Sequence, residues 1–130
     1  MEELISSIKE HEGFRGDVYK DTLGFDTIGY GTKLPLSTYE ARMLLESRLT
    51  KMIKELEEKE PFVNSLTLAK QEIIAEMCYQ LGVNGVLKFV GMWKALKNND
   101  FKEASVQMLD SRWAKQTPNR AEKLADKMKS

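Results

Sequence analysis

Apolar positions recur along this chain at two different periods, and the change between them divides it. Leu4, Ile5 and Ile8 fall at helical spacing, and Gly13 offers a C-terminal stop, so the spacing predicts a first helix over residues 2–12. Continuing the Leu4–Ile8 row by four residues reaches Glu12, which places that acid on the apolar side of its own helix, near the C-terminal end. Between residues 14 and 34 the pattern changes. Val18, Tyr19, Phe25, Thr27, Ile28 and Tyr30 are interleaved with glycines at 16, 24, 29 and 31, and Asp21-Thr22-Leu23-Gly24 is a turn signal between two strand-like runs. The expected product is a β-hairpin or three-stranded meander, too small to be stable without helices to pack on.

Helical spacing then resumes and holds to the end. Ser37-Thr38-Tyr39-Glu40 is a capping box opening a long helix with Leu45, Leu49, Met52 and Leu56 as its apolar row, and Pro61 marks its end. At about 22 residues it would be roughly 33 Å long, enough to join two lobes. Its charge-rich tail, Glu55 to Glu60, reads as solvated. Thr67 caps a helix carrying Ile73, Ile74, Met77, Cys78 and Leu81, and Gly82 closes it. A turn around Val83-Asn84-Gly85 leads to a face of Phe89, Trp93 and Leu96. Asp100-Phe101-Lys102-Glu103 resembles a second capping box, and Thr117-Pro118 reads as an N-cap with proline at the first helical position. Ala121, Leu124, Ala125 and Met128 form the stripe of a terminal helix. The layout is α+β: a first helix and small β-lobe (1–36), a connecting helix (37–60) and a helical lobe (61–130), together one domain of 130 residues.

Composition narrows the function classes. No apolar run approaches the roughly 18 residues of a membrane span, and the polar start Met1–Ile8 does not resemble a secretory leader. Cys78 is the only cysteine, which excludes an intrachain disulfide and a cysteine-rich metal site; packed with Ile74, Met77 and Leu81, it reads as a core residue. His11 is the only histidine, which removes a histidine-rich zinc site and leaves no spare imidazole for a Ser/His/Asp hydrolase. Formal charge is zero but uneven: residues 1–36 hold 4 basic and 7 acidic side chains, residues 101–130 hold 7 basic and 4 acidic. The positive end suits an anionic polymer such as cell wall, or a solvated helix surface. Trp93 and Trp113 sit at helical spacing and read as core or groove-wall residues.

The candidate chemistry lies in an E-x8-D-x5-T pattern, Glu12, Asp21 and Thr27. Acid-catalysed glycoside cleavage needs two carboxyl groups in different environments. Burial on an apolar helix face and the negative end of the helix dipole both favour a protonated Glu12, whereas Asp21 in a polar turn should stay ionised, to steady positive charge on a sugar or to orient a water. Thr27 carries a hydroxyl that could bind that water. Taken one at a time, these residues have ordinary structural readings as a solvated helix end, a turn aspartate and a strand former.

Three ordered segments bring in a resemblance. Glu12-Gly13-Phe14-Arg15, Tyr19-Lys20-Asp21-Thr22-Leu23-Gly24 and Thr27-Ile28-Gly29-Tyr30-Gly31 resemble the N-terminal active-site region of phage lysozymes of the T-even type, glycoside hydrolase family 24. Tyr79-Gln80-Leu81-Gly82-Val83-Asn84-Gly85-Val86 and Ser111-Arg112-Trp113-Ala114-Lys115-Gln116-Thr117-Pro118-Asn119-Arg120-Ala121 are similar to later segments of that family, over about 110 residues in all. The resemblance implies a lysozyme-like α+β fold and a monomeric endolysin cutting the β-1,4 bond between N-acetylmuramic acid and N-acetylglucosamine of peptidoglycan. It implies no cofactor, no nucleic-acid partner and no stable membrane insertion. Synthesis in a host cytoplasm followed by access to the wall after membrane disruption goes with it. Glu12 maps onto the general acid, Asp21 onto the second carboxylate and Thr27 onto a water-positioning hydroxyl, with Gly31, Gln80 and Arg120 at substrate-binding positions of the cleft. Members of this type are regarded as inverting, for which a carboxyl separation of roughly 6.5–9.5 Å is expected. Arg120 is also a candidate ion-pair partner of Glu12.

The chain departs from its relatives in three places. Thr32 stands where many carry histidine after G-x-G, His11 precedes the acid where the familiar phage enzyme has aspartate, and the connection from Thr32 to Leu36 lacks an extra helix and loop. His11 reads as a solvated residue, and the N-terminal lobe is expected to be smaller. Two rival readings remain: a non-catalytic peptidoglycan-binding module, which would never lyse cells, and a basic helical nucleic-acid module at 112–129, which lacks a recognised motif.

Overall fold

The computed structural model describes residues 1–130, and the chain divides into two compact units, Met1–Leu45 and Glu46–Ser130. The first contains helix α1 (Glu2–Glu12) and a sheet of β1 (Arg15–Lys20), β2 (Asp26–Gly29) and β3 (Thr32–Lys33), all antiparallel in the order β1-β2-β3. The predicted meander is therefore three-stranded. Gly13 ends α1 at a φ of +70°, a conformation open to glycine, and its N–H returns to the Lys9 carbonyl. In the β1–β2 pair, Tyr19 faces Thr27 and Lys20 faces Asp26, and the Lys20 ammonium lies 2.7 Å from the Asp26 carboxylate. The register of this pair shifts between Arg15 and Tyr19.

Helix α2 (Thr38–Lys59) opens on a complete capping box. The Ser37 N–H donates to Glu40 Oε1 at 2.9 Å, and the Glu40 N–H donates to Ser37 Oγ at 3.1 Å. Those bonds hold the Glu40 carboxyl below its ordinary pKa. Of the apolar row read along α2, only Leu56 is buried, with Met52 and Leu49 half-buried and Leu45 exposed. The expected solvated tail is tied at two points: Lys59 bridges Glu55 and Asn84, each at 2.9 Å, and Lys97 lies 3.3 Å from Glu60.

The second unit holds the hydrophobic core. A short 3-10 helix (Pro61–Ser65) follows α2, then α3 (Leu68–Leu81), α4 (Val83–Leu87), α5 (Val90–Lys97), α6 (Phe101–Leu109), α7 (Arg112–Gln116) and α8 (Pro118–Lys129). Residues read as a turn at 83–85 thus begin a short helix, because Gly82 reverses the chain at a φ of +80° and the Val86 N–H reaches back to its carbonyl. The most extensive helix contacts are α6 with α8 and α5 with α6. Met77, Met92, Leu96, Met108 and Met128 are sealed at their centre. Methionine's unbranched side chain suits the irregular gaps among short helices. Trp93, Trp113 and Cys78 are core residues, and burial pushes the Cys78 thiol up to about 12. The buried Lys70 ammonium donates to the Met128 carbonyl at 3.0 Å and lies 4.3 Å from the Phe101 ring centre, meeting α8 at the negative end of its dipole.

Two caps differ from their sequence readings. Thr117 occupies the N-cap of α8, but its hydroxyl donates to the Trp113 carbonyl at 3.0 Å instead of capping. At α6 only half a box forms: Asp100 Oδ1 accepts the Glu103 N–H at 3.1 Å, while the Glu103 carboxylate accepts from Gln107. Removing that one cap by Asp100→Ala should lower stability by about 1 kcal/mol, read as a shifted urea midpoint at unchanged slope, with Asp100→Asn retaining most of it.

Candidate active site

The predicted site residues of the first unit are positioned by a helix end (Glu12), by turns (Asp21 and Gly31) and by a strand (Thr27). Glu12 is the last residue of α1, and its side chain lies across the β2–β3 turn at Gly31. A Cβ on Gly31 would come within 2.7 Å of both Cδ and Oε2 of Glu12, and Gly31 itself has a φ of +75°. Glycine is required there twice over, by the backbone conformation and by the carboxyl above it. Glu12 and Gly31, nineteen positions apart in sequence, are thereby brought into contact. Glu12 is exposed, however, and no residue of α1 is buried, which corrects the expectation that the acid sits on a buried apolar face. Leu4, Ile5 and Ile8 do lie at helical spacing, but periodicity reports only that a helix is amphipathic and not what covers it.

Asp21 follows β1 and folds its own turn. Its Oδ1 accepts the N–H groups of Leu23 at 2.9 Å and Phe25 at 2.8 Å, and the backbone closes the loop through Asp21 N–H to the Phe25 carbonyl at 2.9 Å. Oδ2 meets the Lys33 ammonium at 2.6 Å. The lysine bond first and the Phe25 N–H second hold the Asp21 carboxyl below its ordinary pKa; desolvation opposes them, and the Leu23 N–H and the lysine charge add to the lowering. Because the folded value lies below the unfolded one, Asp21 adds stability above the unfolded pKa of about 3.9, and that contribution is lost as pH falls through the depressed folded value.

Thr27 is buried on β2, and its hydroxyl donates to the Phe25 carbonyl at 2.9 Å. The proton is thus committed within the turn, leaving the lone pairs as the only free capacity of that oxygen. His11 is exposed, with Nδ1 3.4 Å from Ser7 Oγ.

In the second unit, the chain brings Gln80 and Arg120 to one face of α3. Gln80 Oε1 accepts the indole N–H of Trp113 at 2.8 Å, and its amide nitrogen lies 3.5 Å from Thr117 Oγ1. One turn earlier on α3, Glu76 accepts from Arg120 Nε at 2.8 Å. Arg120 is paired with Glu76 inside the helical unit. Two participants had escaped sequence reading, Lys33 and Glu76. Each is recognisable only once the strand register or the helix packing sets its neighbours. No group of histidine, cysteine, aspartate and glutamate side chains has the arrangement of a metal site.

Comparison with known proteins identifies the family. The phage lysozyme family matches residues 9–129. A probable T4-type lysozyme 1 of Dictyostelium discoideum is 29% identical, covering 93% of this chain and 92% of the relative, and a second from the same organism is 27% identical with the same coverage. The pre-baseplate central spike protein Gp5 of Enterobacteria phage T4 is 28% identical over 93% of this chain but only 26% of its own length. The Dictyostelium alignments extend over 157 positions, longer than the chain itself, so those relatives carry segments with no counterpart here. With the expected α+β fold in place and nearly the whole chain matched, the protein belongs to the phage lysozyme family, of the T4 type, and is a glycoside hydrolase.

Proposed function

We propose that this lysozyme cleaves the β-1,4 bond between N-acetylmuramic acid and N-acetylglucosamine in bacterial peptidoglycan, with inversion at the anomeric carbon. The observation that carries the reading is the asymmetry of two carboxyl groups in one 45-residue unit: Asp21 is locked as an anion by a lysine and two backbone N–H groups, while Glu12 stands exposed at a helix end above a glycine. A glycan strand bound over Glu12 removes water from its carboxyl and favours the neutral acid. Glu12 then gives its proton to the glycosidic oxygen as the bond to the anomeric carbon breaks. Asp21 accepts a proton from a water on the opposite face as that water's oxygen bonds the anomeric carbon. The lone pairs of Thr27 accept the second O–H of that water. Gly31, Gln80 and Arg120 serve substrate binding, Gln80 held in one orientation by Trp113 and Thr117. A single chain acting without a cofactor, on glycan strands and on neither nucleic acid nor membrane, suffices for this chemistry; synthesis in a host cytoplasm and action on the wall after membrane disruption complete the reading. No helix is long and apolar enough to cross a membrane.

Digestion of purified peptidoglycan followed by borohydride reduction tests the bond. A muramidase leaves N-acetylmuramic acid at the new reducing ends, which the borohydride converts to muramitol, and proton NMR before reduction should show the α anomer formed first. Glucosaminitol ends would overturn the bond assignment, and an initial β anomer would overturn inversion.

A further inference from the structure

We propose that Lys33 is a positioning residue for this hydrolysis: its ammonium leaves Asp21 a single open acceptor site, aimed to take one water. The inference rests on Asp21 acting as the second carboxylate. Lys33 lies at the end of β3, where its backbone pairs with Thr27 of β2, which in turn pairs with Tyr19 of β1. From there its side chain reaches the β1–β2 turn, placing Nζ 2.6 Å from Asp21 Oδ2 and 5.7 Å from the centre of the Phe25 ring. The lysine side chain is 59% exposed and the aspartate only 16%, so the carboxylate is the covered partner.

A carboxylate offers about four lone-pair sites. Two on Oδ1 are filled by the N–H groups of Leu23 and Phe25, and one on Oδ2 by Lys33. One acceptor site remains, on Oδ2, and its direction is fixed by donors from two separate segments. A carboxylate held this way suits proton acceptance from one water better than two other roles open to a second acid. A covalent nucleophile would have to break the lysine contact, and an anion meant to steady a cationic sugar is largely neutralised by an ammonium beside it. The same contact keeps the carboxylate ionised, with the Asp21 pKa lowered and the Lys33 pKa raised by their hydrogen bond. The other charged or titratable groups nearby are Glu12 and Tyr19, whose fields also act on Lys33, and the Lys20–Asp26 pair on the adjoining strands. Lys33 is thus close enough in charge to act on both acids of the site.

The test compares Lys33→Met, Lys33→Gln and Lys33→Arg with Asp21→Asn on purified peptidoglycan, alongside NMR titration of the Asp21 side-chain carbonyl carbon. Met and Gln should raise the Asp21 midpoint toward the ordinary value of about 3.9 and lower kcat about tenfold, with KM changed less than about twofold. Arg should restore most of both. Wild-type kcat in the Met and Gln variants overturns the proposal, as does a loss of kcat that Arg fails to restore while Asp21 titrates as in wild type. If Asp21→Asn retains full activity, the reading of Asp21 itself fails and the role of Lys33 falls with it. If Asp21→Asn is inactive while the Lys33 variants are normal, only the role of Lys33 fails.

Discussion

Replacing Glu12 by glutamine is expected to lower the release of reducing ends from peptidoglycan by about a thousandfold, within the range a positioned general acid contributes. The substitution keeps the shape of the side chain and its hydrogen-bonding capacity, and removes only the proton that can be given to the glycosidic oxygen. Glu12 is exposed, so the folded state should be little affected, and the melting temperature should move by no more than a surface substitution does. Sedimentation with intact cell walls should be retained, because the residues of the Gln80 and Arg120 face are untouched. The combination of lost hydrolysis, retained binding and retained fold is what distinguishes an acid from a packing residue. A variant that still hydrolyses at more than about a tenth of the wild-type rate would remove Glu12 from the acid's role.

The second large effect is expected at Gly31. Alanine there meets two separate penalties. At a φ of +75° an L-residue is destabilised by roughly 1–2 kcal/mol. The added methyl would also lie 2.7 Å from the Glu12 carboxyl, well inside van der Waals contact. The carboxyl is the far end of a flexible, exposed side chain, so it moves instead of the backbone, and displacement of a reacting group by about 1 Å lowers the rate about a hundredfold. Gly29 provides the control, since its φ is +70° but nothing lies within 4 Å of an added Cβ. Gly29→Ala should therefore show a similar loss of stability by urea denaturation and keep most of its activity. Equal losses of activity in the two variants would mean that backbone strain, and not contact with Glu12, is what Gly31 relieves.

These expectations depend on features of different legibility. Helix α1, the strand region, the capping box at Ser37 and the stripe of α8 were readable because each is governed by residues within one or two turns of one another. The core role of Cys78 was readable from helical spacing for the same reason. The short helices at Val83–Leu87 and Arg112–Gln116 were not, since five-residue helices carry too little periodicity to register. The cap at Thr117 was misread because a hydroxyl within reach of a carbonyl one turn earlier is drawn to it, a competition invisible in residue type.

At the site, the sequence by itself determined which groups exist and where local turns put them: an acid ending a helix, an aspartate that closes its own turn, and glycines where the backbone turns with positive φ. Asp21 was expected to be ionised from its polar turn alone, and its local donors do favour the anion. Tertiary structure decided the partners. Pairing of Thr27 with Lys33 brings an ammonium to Asp21, folding of the β2–β3 turn sets Gly31 beneath Glu12, and packing of α8 on α3 gives Arg120 to Glu76. The physical reason is range. Turn and cap hydrogen bonds join residues two to four positions apart, whereas the charge and contact that tune a carboxyl come from groups twelve, nineteen or forty-four positions away, which only strand register and helix packing can bring within a few ångströms.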